Sequence, residues 1–170
     1  MSIKYISIER CREYIFPEIK KNLDSSINKV PEYELERDAI DELDGILVRI
    51  QGDTYYPSFY DKASYLYAAI VKGHKFSNGN KRLGWFTLLS FIDINNYKTH
   101  KFVESEISKK LLELFPKCDY DPLRSSEDNF QTAIYNIGLT ISDKEKIGDP
   151  HFDLVKSKIR DFLVYTLYKN

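Results

Sequence analysis

Turn-forming residues are scarce in this sequence, which has seven glycines and six prolines in 170 residues. A sandwich or barrel of many short strands needs such residues at its corners. Their scarcity argues against an all-β fold and towards helices. Cysteine is scarcer still: Cys11 and Cys118 alone build no disulfide framework, and two thiols suit a reducing compartment. Neither sign of charge dominates, with Lys+Arg at 25 and Asp+Glu at 26. A broad phosphate-contacting face is normally basic, so no nucleic-acid partner is expected. No apolar run reaches the roughly 20 residues of a membrane span, and Met1–Tyr5 opens no apolar signal core. The expectation is a cytoplasmic protein with no membrane association. What the chain does have is apolar and aromatic bulk, 42% hydrophobic residues including 13 Tyr and 10 Phe. At this length that suffices for one ordinary domain with a real core.

Apolar periodicity places the helices. Ile8, Cys11, Ile15, Ile19 and Leu23 predict a first helix over 7–23, capped by Ser7 and broken or kinked at Phe16 by Pro17. Residues 22–34 read as a polar loop. A second helix fits 34–50, through Leu35, Ala39, Leu43, Ile46 and Ile50. Gln51–Ser58 has a glycine stop, extended propensity at Thr54, Tyr55 and Tyr56, and then a proline, which predicts a small β-hairpin or flap. Ser58 or Asp61 caps the next helix, over 59–72, and Gly73 ends it. Residues 81–95 are apolar on nearly every side, the pattern of a buried central helix. Further helices are expected over 104–115, 130–141 and 152–168, with 119–129 as a polar connector. The fold class is all-α. The expected division is a domain over 1–118 and a helical extension over 119–170, packed on or beside it.

One stretch carries chemistry. His74-Lys75-Phe76-Ser77-Asn78-Gly79-Asn80-Lys81-Arg82 is a polar loop running into a helix N-terminus. Such a terminus offers unpaired N–H groups and the positive end of the helix dipole, which favour an anion. Gly79 permits a close backbone approach. Lys81 and Arg82 add two cations, and a guanidinium grips phosphate bidentately. Imidazole is the side chain best suited to base work near neutrality, which singles out His74. A Walker P-loop is excluded, because only five residues separate Gly73 from Gly79 and no Ser or Thr follows Lys81. By itself the pattern is equally that of a solvated helix start beside a helix-end histidine.

The nine residues resemble the signature of the Fic/Doc (Fido) family, His-x-Phe-x-(Asp/Glu)-Gly-Asn-(Gly/Lys)-Arg. Upstream, Tyr56-Pro57-Ser58 with Lys62-Ala63 resembles the Doc-like (death-on-curing) branch, and the likeness runs downstream to Asn95-Asn96-Tyr97. The resemblance implies a helical bundle with the flap ahead of the motif helix pair. It implies transfer of part of a nucleotide to a protein hydroxyl, with ATP and Mg²⁺ as cofactors. It makes His74 the general base and Phe76 the core pin of the loop. Gly79 and Asn80 become an anion nest, Lys81 and Arg82 phosphate-binding residues, and Thr54, Tyr55 and Tyr56 a target-binding flap. Lys81 goes in this family with phosphoryl rather than AMP transfer. Asn78 stands where the family has its metal-holding acid, and a neutral amide is a weakened Mg²⁺ position. The implied function is phosphoryl transfer from ATP to a cytosolic target protein by the toxin of a toxin–antitoxin pair. The alternatives are an AMP-transferring enzyme, or a binding module that lost metal chemistry at Asn78. The family's inhibitory pattern, (Ser/Thr)-x-x-x-Glu-(Gly/Asn), is absent from the sequence. Restraint is therefore expected from a separate antitoxin chain or from 119–170.

Other polar groups carry less. Asp119, Asp121, Glu127 and Asp128 read as a solvated acidic connector. His100 and His151 have no zinc-type spacing to a cysteine or to each other.

Overall fold

The computed structural model describes residues 2–23, 29–121, 128–148 and 150–170. Its elements are α1 (Ile8–Arg10), a π turn (Cys11–Ile15), α2 (Phe16–Lys21), a 3₁₀ turn (Tyr33–Leu35), α3 (Arg37–Arg49), α4 (Phe59–Gly73), α5 (Asn80–Ile94), β1 (Tyr97–Thr99), α6 (Glu104–Leu114), α7 (Asn129–Ser142), α8 (Lys144–Ile147), α9 (Phe152–Thr166) and β2 (Leu167–Lys169). The fold is all-α, as composition and periodicity predict.

The first helix does not break at Phe16. It widens instead: the Phe16 N–H bonds the Cys11 carbonyl five residues back, and the chain continues into α2 with Pro17 at its start. A π turn just ahead of the proline removes the clash that a regular helix would force. Cys11 lies in that turn, and burial pushes its thiol up to about 12.

The centre of the bundle is α4 rather than α5. Residues 62–71 are all buried, whereas Trp85, Phe86, Leu89 and Ile94 of α5 remain only partly covered. The reason is small residues at the crossings. A side chain at Gly84 would collide with Val71, and one at Gly138 would meet Tyr67 Oη at 2.6 Å, so α5 and α7 both close tightly on α4. The Tyr67 hydroxyl, fully enclosed, donates to the Ile134 carbonyl at 2.5 Å. α9 covers another side of α4, and its Phe162 and Leu163 join the same apolar cluster as Leu43 of α3.

The α4 start is a capping box. Ser58 Oγ accepts from the Asp61 N–H at 3.1 Å, and the Asp61 carboxylate accepts from the Ser58 N–H at 3.1 Å. Burial pushes the Asp61 carboxyl up, but the Ser58 hydrogen bonds and Arg160, 2.8 Å away on α9, outweigh it and hold the group below its ordinary range.

The segment predicted as a β-hairpin flap is not one. Residues 51–58 form turns, and among the described residues the sheet is β1 paired antiparallel with β2, Lys98 opposite Tyr168. Two anchors decide this. Tyr56 folds inward and packs its ring 4.4 Å from that of Tyr65. Lys62, fully buried, donates to the Ile50 carbonyl at 2.7 Å and pairs with Asp53 at 2.8 Å. A turn tied at both ends has no free edge for strand pairing. Lys62→Ala is expected to destabilise the fold by about 2–4 kcal/mol, since it leaves a cavity and strands a buried carbonyl. Urea unfolding of both proteins measures the difference, and a loss under about 0.5 kcal/mol would show that the latch contributes little.

Candidate active site

The motif lies between α4 and α5, the two helices that cross most closely. α4 does not end on Gly73, which is still helical. It ends on His74, which takes the left-handed conformation at φ 46°. A non-glycine residue there is uncommon, although histidine is among the better tolerated types. The reversal swings the chain out of the helix and leaves His74 exposed at the mouth of a polar cavity. That cavity, of about 300 Å³, is lined by His74, the loop and helix start from Ser77 to Arg82, and Tyr135 of α7. The structure thus gathers His74, Asn78, Gly79, Asn80, Lys81 and Arg82 around one space.

Each loop residue has a definite task. Phe76 is buried, with its ring 5.0 Å from that of Tyr33 and edge-on to it, which agrees with a pinning role. Asn80 is buried, and both ends of its amide bind the Phe76 backbone: Oδ1 accepts from the N–H at 3.0 Å and Nδ2 donates to the carbonyl at 2.7 Å. Its side chain therefore shapes the loop, and what it offers an anion is its peptide N–H at the first position of α5. Gly79, at φ 84°, caps that helix. What approaches it closely is the chain itself, because a side chain there would strike Tyr33 Oη and Pro31 Cγ.

The sequence predicts most of that covering segment as a plain loop, over 22–34, and puts Glu36 in the second helix. The segment holds the motif at three points. Tyr33 Oη donates to the Gly79 carbonyl at 3.0 Å. The Glu36 carboxylate accepts from both Ser77 N–H and Ser77 Oγ, each at 2.8 Å. Asn78 Nδ2 donates to the Lys29 carbonyl at 2.8 Å. Burial pushes the Tyr33 phenol above its ordinary range, so it stays a neutral donor. The available signal was weak: a lone aromatic after Pro31, without periodicity. Residues 24–28 of the predicted loop lie outside the described residues.

The flap residues stand elsewhere. Thr54 and Tyr55 are exposed, and none of Thr54, Tyr55 and Tyr56 lines the motif cavity. They precede α4, whereas His74 follows its fifteen residues, an axial separation of roughly 22 Å. The acidic connector is also used structurally: Asp119 pairs with Lys146 at 2.6 Å, and Asp128 caps α7 by accepting from the Gln131 N–H at 2.9 Å. Glu127 lies outside the described residues.

A protein-built metal site does not fit this cavity. Among the described residues no three His, Cys, Asp or Glu side chains group together. Asn78 brings only a neutral amide, whose nitrogen is already tied to Lys29. Mg²⁺ takes carboxylate and phosphate oxygens, and the cavity lining supplies no carboxylate.

Residues 16–92 match the sequence model of the Fic/DOC family. The chain is also 28% identical over 97 residues to Toxin Doc of Mycolicibacterium smegmatis (strain ATCC 700084 / mc(2)155), an alignment covering 54% of this chain and 75% of that protein. No solved structure matches the chain significantly. With the nine-residue motif at an α4–α5 junction of an all-α bundle, the chain is similar to the Fic/DOC family over residues 16–92 and to a Doc toxin over 97 residues. No helix among the described residues is long and apolar enough to cross a membrane.

Proposed function

We propose that this chain is a nucleotide-dependent transferase that moves the γ-phosphoryl group of ATP to a hydroxyl of a cytosolic protein, acting as the toxin of a toxin–antitoxin pair. One observation carries the reading: a single histidine and an anion-receiving helix start share one small polar cavity. The N–H groups at the start of α5 and the Lys81 and Arg82 side chains bind and orient phosphate oxygens. ATP, when bound, supplies the transferable group. His74 takes the proton of the acceptor hydroxyl as that oxygen bonds to phosphorus. The bond from phosphorus to the bridging oxygen breaks, ADP leaves, and the proton passes on to solvent. The toxin relative supports the biological role, and a separate antitoxin chain would then restrain the activity.

Incubation with γ- and α-labelled ATP and a cell lysate tests the reading. Label transferred from the γ position alone supports it. Label from the α position replaces it with AMP transfer, and no transfer from either position overturns it.

Asn78 decides how the site handles metal. Asn78→Asp gains a carboxylate for a divalent ion held on the nucleotide phosphates, but its new oxygen faces the Lys29 carbonyl that the amide nitrogen now bonds. Two opposite outcomes are expected together: a lower Mg²⁺ concentration for half-maximal transfer, and a melting temperature lowered by roughly 2–4 °C, the equivalent of about 1 kcal/mol. Transfer measured against Mg²⁺, with thermal unfolding, checks both. An unchanged or lowered Mg²⁺ response would show that residue 78 is no crippled metal ligand.

A further inference from the structure

Among the described residues a second cavity is larger than the motif cavity. It is a groove of about 670 Å³ between α3, α4 and the start of α9. Its α3 wall presents Glu42, Gly45, Ile46 and Arg49, and its α4 wall Tyr65, Ala69, Lys72 and Gly73. Both sets follow the i, i+3/4, i+7 spacing of one helix face, so the floor runs about 10–12 Å along the helices. That length holds three or four residues of extended chain. The groove meets the motif loop: Gly73 and Lys75 line it, whereas His74 between them lines the motif cavity.

The charge of the groove is uneven. Lys75 pairs with Glu42, and Lys156 pairs with Asp153 at 2.8 Å. Arg49 and Lys72 have no carboxylate partner among the described residues; Arg49 only donates to Tyr65 Oη at 3.1 Å. The first turn of α9, the positive end of a fifteen-residue helix, forms the third wall through Phe152 and Asp153. The groove therefore carries surplus positive charge at both ends, over apolar patches from Ile46, Ala69 and Phe152.

Gly45 is the second and independent observation. Glycine in a helix interior is disfavoured relative to alanine, so a packing reason is expected for it. At Gly84 and Gly138 the structure supplies one, but a side chain built at Gly45 meets nothing within 4 Å. Among the described residues nothing occupies the space in front of Gly45. It opens onto the groove.

We infer that this groove docks an extended acidic segment of the protein that carries the acceptor hydroxyl, with Arg49 and Lys72 binding its carboxylates and Gly45 leaving room for its backbone. The inference rests on the proposed transferase reading and adds where the target is held. A segment lying along α3 and α4 ends beside His74, so docking there delivers a hydroxyl to the motif.

The test contains no nucleotide, so it stands or falls apart from transfer activity. The probe is a fluorescein-labelled ten-residue peptide alternating Glu with Leu around a central Thr; its control carries Lys for Glu. Anisotropy is expected to show saturable binding of the acidic peptide only. Arg49→Gln combined with Lys72→Gln, and Gly45→Leu separately, should each weaken binding at least tenfold. Gly45→Ala should raise the thermal midpoint by roughly 2–3 °C while weakening the peptide. Stabilisation joined to lost binding is an outcome that a structural role for Gly45 does not produce. Binding that is absent, equal for the Lys peptide, or unmoved by these variants overturns the inference.

Discussion

His74→Ala is expected to lower transfer by on the order of 10²–10⁴-fold, the range for removal of a general base. The fold should not follow. His74 is exposed and terminates α4 through its backbone, at φ 46°, rather than through buried side-chain contacts. Alanine must adopt the same left-handed conformation, which it tolerates slightly less well, so a small drop in melting temperature is the only structural effect expected. His74→Gly removes the same imidazole and relieves that strain. It should be equally inactive and melt at or above the wild-type temperature. Initial rates of label transfer with thermal unfolding separate the two effects. Transfer at the wild-type rate in either variant would remove His74 from the mechanism.

Gly79→Ala should have the largest effect on structure and nucleotide binding together. Two costs combine at this position. The left-handed φ of 84° disfavours any side chain, by roughly 1–2 kcal/mol. The added methyl also meets Tyr33 Oη and Pro31, which seal the loop from the N-terminal side, and overpacking of that kind costs about 1–3 kcal/mol. Tyr33 cannot move aside cheaply, because it is fully buried with its ring stacked 4.6 Å from that of Phe16. We expect a loss of about 2–5 kcal/mol as the sum of those two ranges, and at least a tenfold loss of ATP affinity by calorimetry, because the displaced residue caps the anion-receiving helix. Tyr33→Phe placed in the Gly79→Ala background removes the hydroxyl that the added methyl strikes and should recover part of the loss. No recovery would show that the Tyr33 cover does not hold the loop.

Local information sufficed for a good part of this molecule. The helices over 37–49, 59–73, 80–94, 104–114, 129–142 and 152–166 follow from apolar spacing and from glycine, proline and capping residues, because helix formation depends on neighbours within a turn or two. That His74 and Asn78–Arg82 share one cavity is legible for the same reason: nine consecutive residues carry them, so chain connectivity alone keeps them together. At Pro17 and Gln51–Ser58 the structure differs from the sequence expectation, because the outcome there depends on distant or unexpected partners. A π turn absorbs the proline, and Tyr65 and Lys62 pull the supposed hairpin inward.

The sequence by itself determined the helical class, the position of the motif and the chemistry its side chains can offer. Only the tertiary structure decided which helix is central, since that depends on Gly84 and Gly138 meeting α4 across the bundle. It also decided that Asn80 shapes the loop with its side chain rather than presenting that side chain to a ligand, and that Tyr33, Glu36 and Lys29 brace the motif from some forty to fifty residues away. Tyr135 enters the cavity, and Gly45 opens a groove, only once α7, α9 and α3 are packed. These contacts join residues with no periodic or spacing relation in the chain. They exist because burying the apolar faces of the helices fixes which polar groups are left facing one another.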